Sequence, residues 1–267
     1  MSAAVDLYDH THADLASVAE AAVRREAFNE DMGQSGWITG DEWLTFADRL
    51  EIGRGADVLE IGSGSGGPGV YLAERRGCRL TGLDVNDLGV RHGNALAEAR
   101  GVADRVLFRS VDADGPLPFE AGRFDAIVST EAISHVRDRL AAFREWNRVL
   151  SPGGRVLFTD PLVLTGPVSA EELTTLSSIG FVQFVPPDEN QRLLKKAGFR
   201  VLRVDDVTQN AADVARRWHN ARARYREQLV GREGRTNFDG FQHFLWSVHV
   251  VSTQRRLSRF AYLAEEL

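Results

Sequence analysis

The chain has 267 residues, 43% of them hydrophobic, enough to bury a full core as one α/β domain with insertions. Its formal net charge of −6 excludes a dominant nucleic-acid surface, which would need clustered Lys and Arg, and turns attention to small molecules. A single cysteine, Cys78, rules out an internal disulfide. No Cys/His spacing suggests a metal, and the sequence has neither an apolar run of about 18 residues nor a basic-then-apolar start, so a cytoplasmic protein without metal, membrane span or signal peptide is expected.

Residues 15–28 carry apolar side chains at helical spacing and predict a helix. The turn-rich stretch GQSGWITG (33–40) follows, with Asp41 placed to cap a helix running to Leu50. Next comes VLEIGSGSGGPG (58–69), an apolar strand that stops in Gly62, Gly64, Gly66, Gly67 and Gly69. Bare backbone there permits positive φ and close approach by a ligand, and the N–H groups of the following helix favour a nucleotide-like guest. Gly62, Gly64 and Gly67 fit G-x-G-x-x-G, with Asp84 at the spacing of about 20 residues that a dinucleotide site requires. Glu60 opposes that reading, because an acid before the first glycine would repel a pyrophosphate and suits a cationic guest better.

The pattern then alternates. A helix over 68–76 leads to a strand over 79–83 that ends in Asp84, which either accepts hydrogen bonds from a ribose or caps the next helix, a role for which Asp87 is better placed. A helix over 88–100 precedes a strand over 105–111, ended by Asp112 and Ala113, where an acid and the neighbouring N–H suit an adenine edge. A fourth strand over 124–129 runs into residues 130–136, which should face the reacting centre. A helix over 139–150, the turn SPGG (151–154) and a strand over 155–159 complete a parallel α/β sheet. Beyond Pro161 the sequence predicts an insertion over 162–184, a helix over 187–197, a sixth strand over 199–207, helical stretches over 211–229 and 238–257, and a last strand over 258–264.

The E-x-G-x-G-x-G loop, the acids Glu60, Asp84 and Asp112 ending three successive strands, and the L-x-P-G-G form at 150–154 together resemble the class I S-adenosylmethionine-dependent methyltransferases. Within them the chain is similar to the small-molecule branch, which includes phosphoethanolamine, sarcosine-dimethylglycine and natural-product enzymes. The resemblance implies a Rossmann-like fold with seven mostly parallel strands, an antiparallel last strand and a helical cap. Its parts would be N-terminal helices (1–50), a cofactor-binding core (51–160), an insertion and sixth strand (161–208), the cap (209–257) and the last strand (258–267). It implies S-adenosyl-L-methionine as cofactor, leaving S-adenosyl-L-homocysteine, with contacts from Glu60, Gly62, Gly64, Gly66, Asp84, Val85, Asp112, Ala113 and Thr130. An aromatic-Ile-Ser/Thr-Gly stretch touches the methionine end in such enzymes, and Trp37, Thr39 and Gly40 match it loosely; Trp37 is otherwise a core anchor.

In the same family a histidine follows S-x-(D/E)-x-(I/L)-x, which here reads Ser129 to His135. His135 is therefore the expected base or orienting group, set against a purely packing role. Glu131 is expected either to bind a cation of substrate or cofactor or to cap the next helix. Phosphoethanolamine enzymes pair that histidine with a tyrosine of the N-terminal helix, but residues 16–25 contain none and Tyr8 lies too far upstream, which argues against a phosphobase substrate.

The segment 216–226 carries Arg216, Arg217, His219, Arg222, Arg224 and Arg226 with Trp218 and Tyr225 between them. It reads as a solvated face or as a grip on an anionic substrate, with Arg217 or Trp218 turned to the pocket. Phe238, Phe241, Phe244 and Trp246, with His243, read as core or as a dimer interface. The functional expectation is methyl transfer to an N, O or C nucleophile of a small molecule in natural-product or amine metabolism. The alternatives are an NAD(P)-dependent oxidoreductase and a cofactor-binding protein without transfer activity. Expected partners are a small-molecule acceptor and, as a candidate, a second copy of the chain, with no nucleic acid or membrane.

Overall fold

The computed structural model describes residues 17–267, so Tyr8 and the start of the first expected helix lie outside the described residues. Among the described residues two helices precede the sheet. α1 (Val18–Phe28) is capped by Ser17, whose side chain accepts from the Glu20 N–H, and α2 (Gly40–Arg49) follows. Asp41 does not cap α2: Thr39 holds the N-cap position, and Asp41 sits in the first turn, where its charge faces the positive helix end.

The sheet is built from β1 (Asp57–Ile61), β2 (Arg79–Asp84), β3 (Val106–Ser110), β4 (Phe124–Thr130), β5 (Leu150–Leu164), β6 (Phe199–Asp206) and β7 (Leu257–Glu266). Their order is β3-β2-β1-β4-β5-β7-β6. β1 pairs in parallel with β2 and β4, while β7 enters antiparallel between β5 and β6. The fifth strand is longer than expected because β7 pairs with it well beyond Thr159, as far as Leu164 opposite Leu257. α3 (Gly67–Arg76) and α4 (Asp87–Ala99) join β1, β2 and β3, and α5 (Arg139–Val149) joins β4 to β5. Asn86, not Asp87, caps α4, since its side-chain oxygen accepts from the N–H groups of Leu88 and Gly89.

Two apolar clusters cover the faces of the sheet, one including Val58, Leu80 and Phe108 and the other Leu59, Ile127, Trp146 and Phe158. A third cluster lies off the sheet. α6 (Ala170–Leu176), α7 (Glu189–Lys196), α8 (Thr208–Arg224) and α9 (Arg226–Thr253) complete the chain, and α8 packs on α9 and α1 to bury Phe28, Trp218, Phe241 and Phe244 with Trp37. α9 breaks its helical geometry at Gly234, with φ 77° and ψ 156°, inside the stretch the sequence had left unassigned.

Three of the four arginines of α8 are spent on this packing, while half-exposed Arg216 pairs with Asp213 of the same helix. Arg217 Nε donates to the Ala27 carbonyl at 2.7 Å, Arg224 pairs with Glu26, and buried Arg222 pairs with Glu233 and lies over the Phe241 ring. They hold α1 and α9 to α8.

Candidate functional site

β1 and β4 are neighbours although other elements separate them in sequence, and the crevice beyond their carboxyl ends is where such sheets take ligands. A cleft of about 600 Å³ opens there. The loop after β1 turns tightly, with Gly62 at φ 72° and Gly64 at φ 53°. A methyl group on Gly62 would overlap the Ala132 side chain, so the close approach of the two strand ends requires glycine. Asp84 ties the loop down. Its Oδ2 accepts the Gly64 N–H at 2.7 Å and its Oδ1 the Asn86 N–H at 2.9 Å, leaving each oxygen a further lone pair for a ligand hydroxyl.

Glu60 lies beneath the loop, 2% exposed, and its Oε2 has no hydrogen-bond partner. Burial raises its pKa well above the usual carboxylate range, and the nearby charge of Asp84 adds to the rise. A buried acid without a counter-charge is costly to keep, which calls for a cationic or hydrogen-bond-donating guest. At the other end of the cleft Asp112 accepts from the Asp114 N–H at 2.9 Å, next to Ala113.

After β4 the chain turns at Glu131, held at φ 66°, into a single turn of 3₁₀ helix over Ala132–His135. The Glu131 carboxylate makes no capping bond there. It is bound instead by Arg259 of β7, which is 1% exposed: Nε donates to Glu131 Oε1 at 2.9 Å, and Nη1 donates to both oxygens of Glu42 on α2 at 2.7 and 2.8 Å. Burial, with Glu42 adding to it, lifts the Glu131 pKa, and Arg259 restrains the rise. The His135 Nδ1 lies 2.8 Å from the Phe181 carbonyl. A carbonyl only accepts, so Nδ1 carries the hydrogen and the basic lone pair of the neutral ring is on Nε2. Burial depresses the pKa of this ring, against the Phe181 carbonyl and Asp84, which draw it up, and keeps it neutral at pH 7.

A second, narrower cavity of about 60 Å³ opens from the cleft beneath α8 and α9. Ser35, Gly36, Glu131, His135 and Ile179 line both, and Trp37, Leu176, Trp218, Phe241, Phe244 and Val248 enclose the inner one.

The large cleft brings together Glu60, Gly62, Gly64, Asp84, Val85, Asp112, Ala113, Thr130, Glu131 and His135. Three expected contacts fall elsewhere. Trp37 turns into the cap core, 6.2 Å from Trp218 and 6.4 Å from Phe244 between ring centroids, so it lines only the inner cavity. Thr39 is taken up at the start of α2, and its neighbour Ile38 lines the cleft instead. Gly66 faces Gly93 and Phe108 behind the loop, where its φ of 77° serves the turn. None of Arg216, Arg217, Arg222, Arg224 and Arg226 lines either cavity, so an anion grip from this segment is not formed. Glu42 and Arg259 escaped the sequence reading. Arg259 did leave a signal, a charge inside the apolar run SRFAYLA, whereas Phe181 in the insertion left none.

Among the described residues no group of His, Cys, Asp and Glu is placed to hold a metal ion, and no helix is long and apolar enough to cross a membrane.

Residues 59–158 match the model of a methyltransferase domain. The 27-O-demethylrifamycin SV methyltransferase of Amycolatopsis mediterranei is 33% identical over 166 residues, covering 61% of this chain and 61% of that protein. The matched stretch thus spans about three fifths of the length of the curated relatives. Among solved structures, phosphoethanolamine N-methyltransferase 2 of Haemonchus contortus superimposes with a TM-score of 0.81 at 20% identity, covering 98% of this chain and 60% of that one. The [4+2]-cyclase SpnF superimposes with a TM-score of 0.76 at 21% identity, covering 100% and 97%.

Proposed function

We propose that this chain, a class I methyltransferase in its fold and in the sequence of residues 59–158, binds S-adenosylmethionine in the large cleft and moves its methyl group to an N, O or C nucleophile of a small molecule. The observation that carries the reading is the unpartnered, buried carboxylate of Glu60 under the glycine loop, beside Asp84 and in one cleft with Asp112. A cationic amino-acid end suits that acid, and a pyrophosphate does not, which weighs against the nicotinamide alternative. Asp84 offers lone pairs to a ribose, and Asp112 with the Ala113 N–H suits an adenine edge.

The cofactor, when bound, supplies an electrophilic methyl carbon on a sulfonium for in-line displacement. What remains for the chain is alignment and proton removal, and well-oriented reactants gain about 7 to 11 kcal/mol. His135, neutral and with its basic lone pair on Nε2, takes the proton that an amine or hydroxyl loses. The relatives' names cover both O- and N-methylation, so they leave the atom open.

The test is a thermal-shift titration with S-adenosylhomocysteine, S-adenosylmethionine, NAD and NADP on the wild type and on Asp84→Ala. A ligand at a hundredfold excess over its dissociation constant stabilises by about 2.7 kcal/mol, so the expected result is a clear rise with S-adenosylhomocysteine that Asp84→Ala diminishes. A rise with NAD or NADP alone overturns the reading. A [4+2]-cyclase shares this fold, so a second reading stands beside the first, cofactor binding without transfer; it predicts the same melting shift and no radiolabel transfer to any acceptor.

A further inference from the structure

The inner cavity is built from apolar and aromatic side chains, and among the described residues no Lys or Arg lines it. The arginines nearest in sequence are engaged with Ala27, Glu26, Glu233 and Asp239, away from it. An anionic acceptor would lose its hydration there and meet no counter-charge. A cation fares little better. The one acid in the wall, Glu131, is already compensated by Arg259, and the Phe241 face that would attract an ammonium group is covered by the Arg222 guanidinium at 4.4 Å. Trp218 meets its ring neighbours edge-on, at 63° to 75° against Phe28, Trp37 and Phe241, and Trp37 stacks on Phe244 at 22°.

Two polar atoms in this wall have no hydrogen-bond partner, Glu131 Oε2, whose carboxylate is already paired with Arg259 through Oε1, and the Trp218 indole nitrogen. The Trp218 side chain is 3% exposed, and its indole Nε1–H has no hydrogen-bond partner. Buried indole N–H groups are normally satisfied, so an unsatisfied one lining a cavity calls for an oxygen brought by a ligand.

We infer that the inner cavity receives an uncharged, largely apolar acceptor that presents an oxygen to the Trp218 indole N–H, and that acceptors carrying an ammonium, carboxylate or phosphate at this end are refused. This rests on the large cleft being the cofactor's, which leaves the inner cavity, with His135 at the junction, for the acceptor. At about 60 Å³ the cavity holds the volume of about two waters, so only the end of the acceptor enters it and the remainder lies in the shared region near Ser35 and Ile179. Trp218 is then a specificity-determining residue, and an oxygen at the acceptor's buried end is the property it helps to select for, while the apolar wall without a counter-charge excludes ions.

The experiment uses three probes of equal ring size that differ in charge: 2-naphthol, 2-naphthoate and 2-naphthylmethylammonium. Each is titrated calorimetrically at pH 7 with and without saturating S-adenosylhomocysteine. The expected result is 2-naphthol binding at least about tenfold more tightly than either ion. Trp218→Phe, which keeps an aromatic ring and removes the donor, should weaken 2-naphthol about three- to tenfold, the scale of one hydrogen bond. Val248→Phe, which fills the cavity from α9, should abolish probe binding while the S-adenosylhomocysteine melting shift persists. Equal affinity for either ion, undiminished 2-naphthol binding in both variants, or no 2-naphthol binding by a wild type that answers to S-adenosylhomocysteine would each overturn the inference. A wild type that prefers 2-naphthol yet shows no response to S-adenosylhomocysteine would support the inner cavity's selectivity and overturn the cofactor reading instead.

Discussion

The outer half of the cleft is walled by main chain and carboxylates, and the inner half by aromatic rings. Glycines at Gly62 and Gly64 expose backbone in the first, and Glu60, Asp84 and Asp112 bring acids from three adjacent strand ends. In the second, Trp37, Trp218, Phe241 and Phe244 pack against one another and present no formal charge. The sheet places the first set through strand register, which residue order determines directly. The cap places the second through helix packing, in which α1, α8 and α9 meet from distant parts of the chain. Polar recognition is thus fixed by topology and apolar recognition by packing, and each can be disturbed without the other. His135 and Glu131 stand at the junction.

Breaking the junction should have the largest effect. His135→Ala is expected to lower kcat by about 10²- to 10⁴-fold, the usual contribution of a positioned base, with S-adenosylhomocysteine affinity unchanged. Because burial lowers the His135 pKa, the acid limb of the wild-type rate profile should fall below the ordinary histidine value of about 6.5 and vanish in the variant. A variant retaining both rate and acid limb would reduce His135 to a packing residue.

Next comes the clasp between the halves. Arg259→Leu leaves Glu42 and Glu131 buried without their shared cation, and breaking such a group from one side costs about 3 to 5 kcal/mol. Urea denaturation at pH 7 should show a loss of this size, shrinking as the pH falls and Glu131, whose pKa burial raises, takes up a proton. A loss under about 1 kcal/mol would mean that the clasp is solvated and does not join α2 to the sheet.

Asp84→Ala acts on the outer half alone. Hydrogen bonds to charged groups contribute about 1.5 to 3 kcal/mol, so S-adenosylhomocysteine should bind about 10- to 150-fold more weakly, measured by calorimetry. The preference among charged and uncharged naphthalene probes should not change. If it did, the two halves would be coupled through the glycine loop and would not act independently.

The difference between the halves also explains what the sequence disclosed. Period-two and continuous apolar runs located every strand of the sheet, and the acids could be read because each lies at or just beyond the end of one of those runs. The ends of elements were less legible: Asn86 caps α4 although Asp87 also fits, because either side chain can reach the same N–H groups. β5 grew beyond its local pattern because β7, about a hundred residues later, supplies its partner. In the cap the arginines looked free. Their carboxylate partners lie on α1 and α9, and sequence distance hides such pairs, as it hides Glu42 from Arg259. Trp37 illustrates the same limit, since its neighbours Trp218 and Phe244 come from the far end of the chain.

Glu60→Gln offers the subtlest test, because it separates a cost of folding from a benefit of binding. The folded-state pKa of Glu60 is raised, first by burial and then by Asp84, so the protonated form is the one that folding tolerates. A raised acid contributes its full share of stability below the unfolded value of about 4.3 and loses it as the pH climbs through the folded value. Glutamine stays neutral at every pH. The unliganded variant should therefore melt at the wild-type temperature near pH 4 and above it at neutral pH, with the gap opening across the range in which the wild-type acid ionises. Adding S-adenosylmethionine should reverse the order at pH 7, because the variant offers no negative charge to the cationic cofactor, and the reversal should be smaller with uncharged-sulfur S-adenosylhomocysteine than with the sulfonium. A variant no more stable than the wild type at pH 7 would mean that Glu60 finds a partner in solution, and the acid beneath the glycine loop would then be a structural residue.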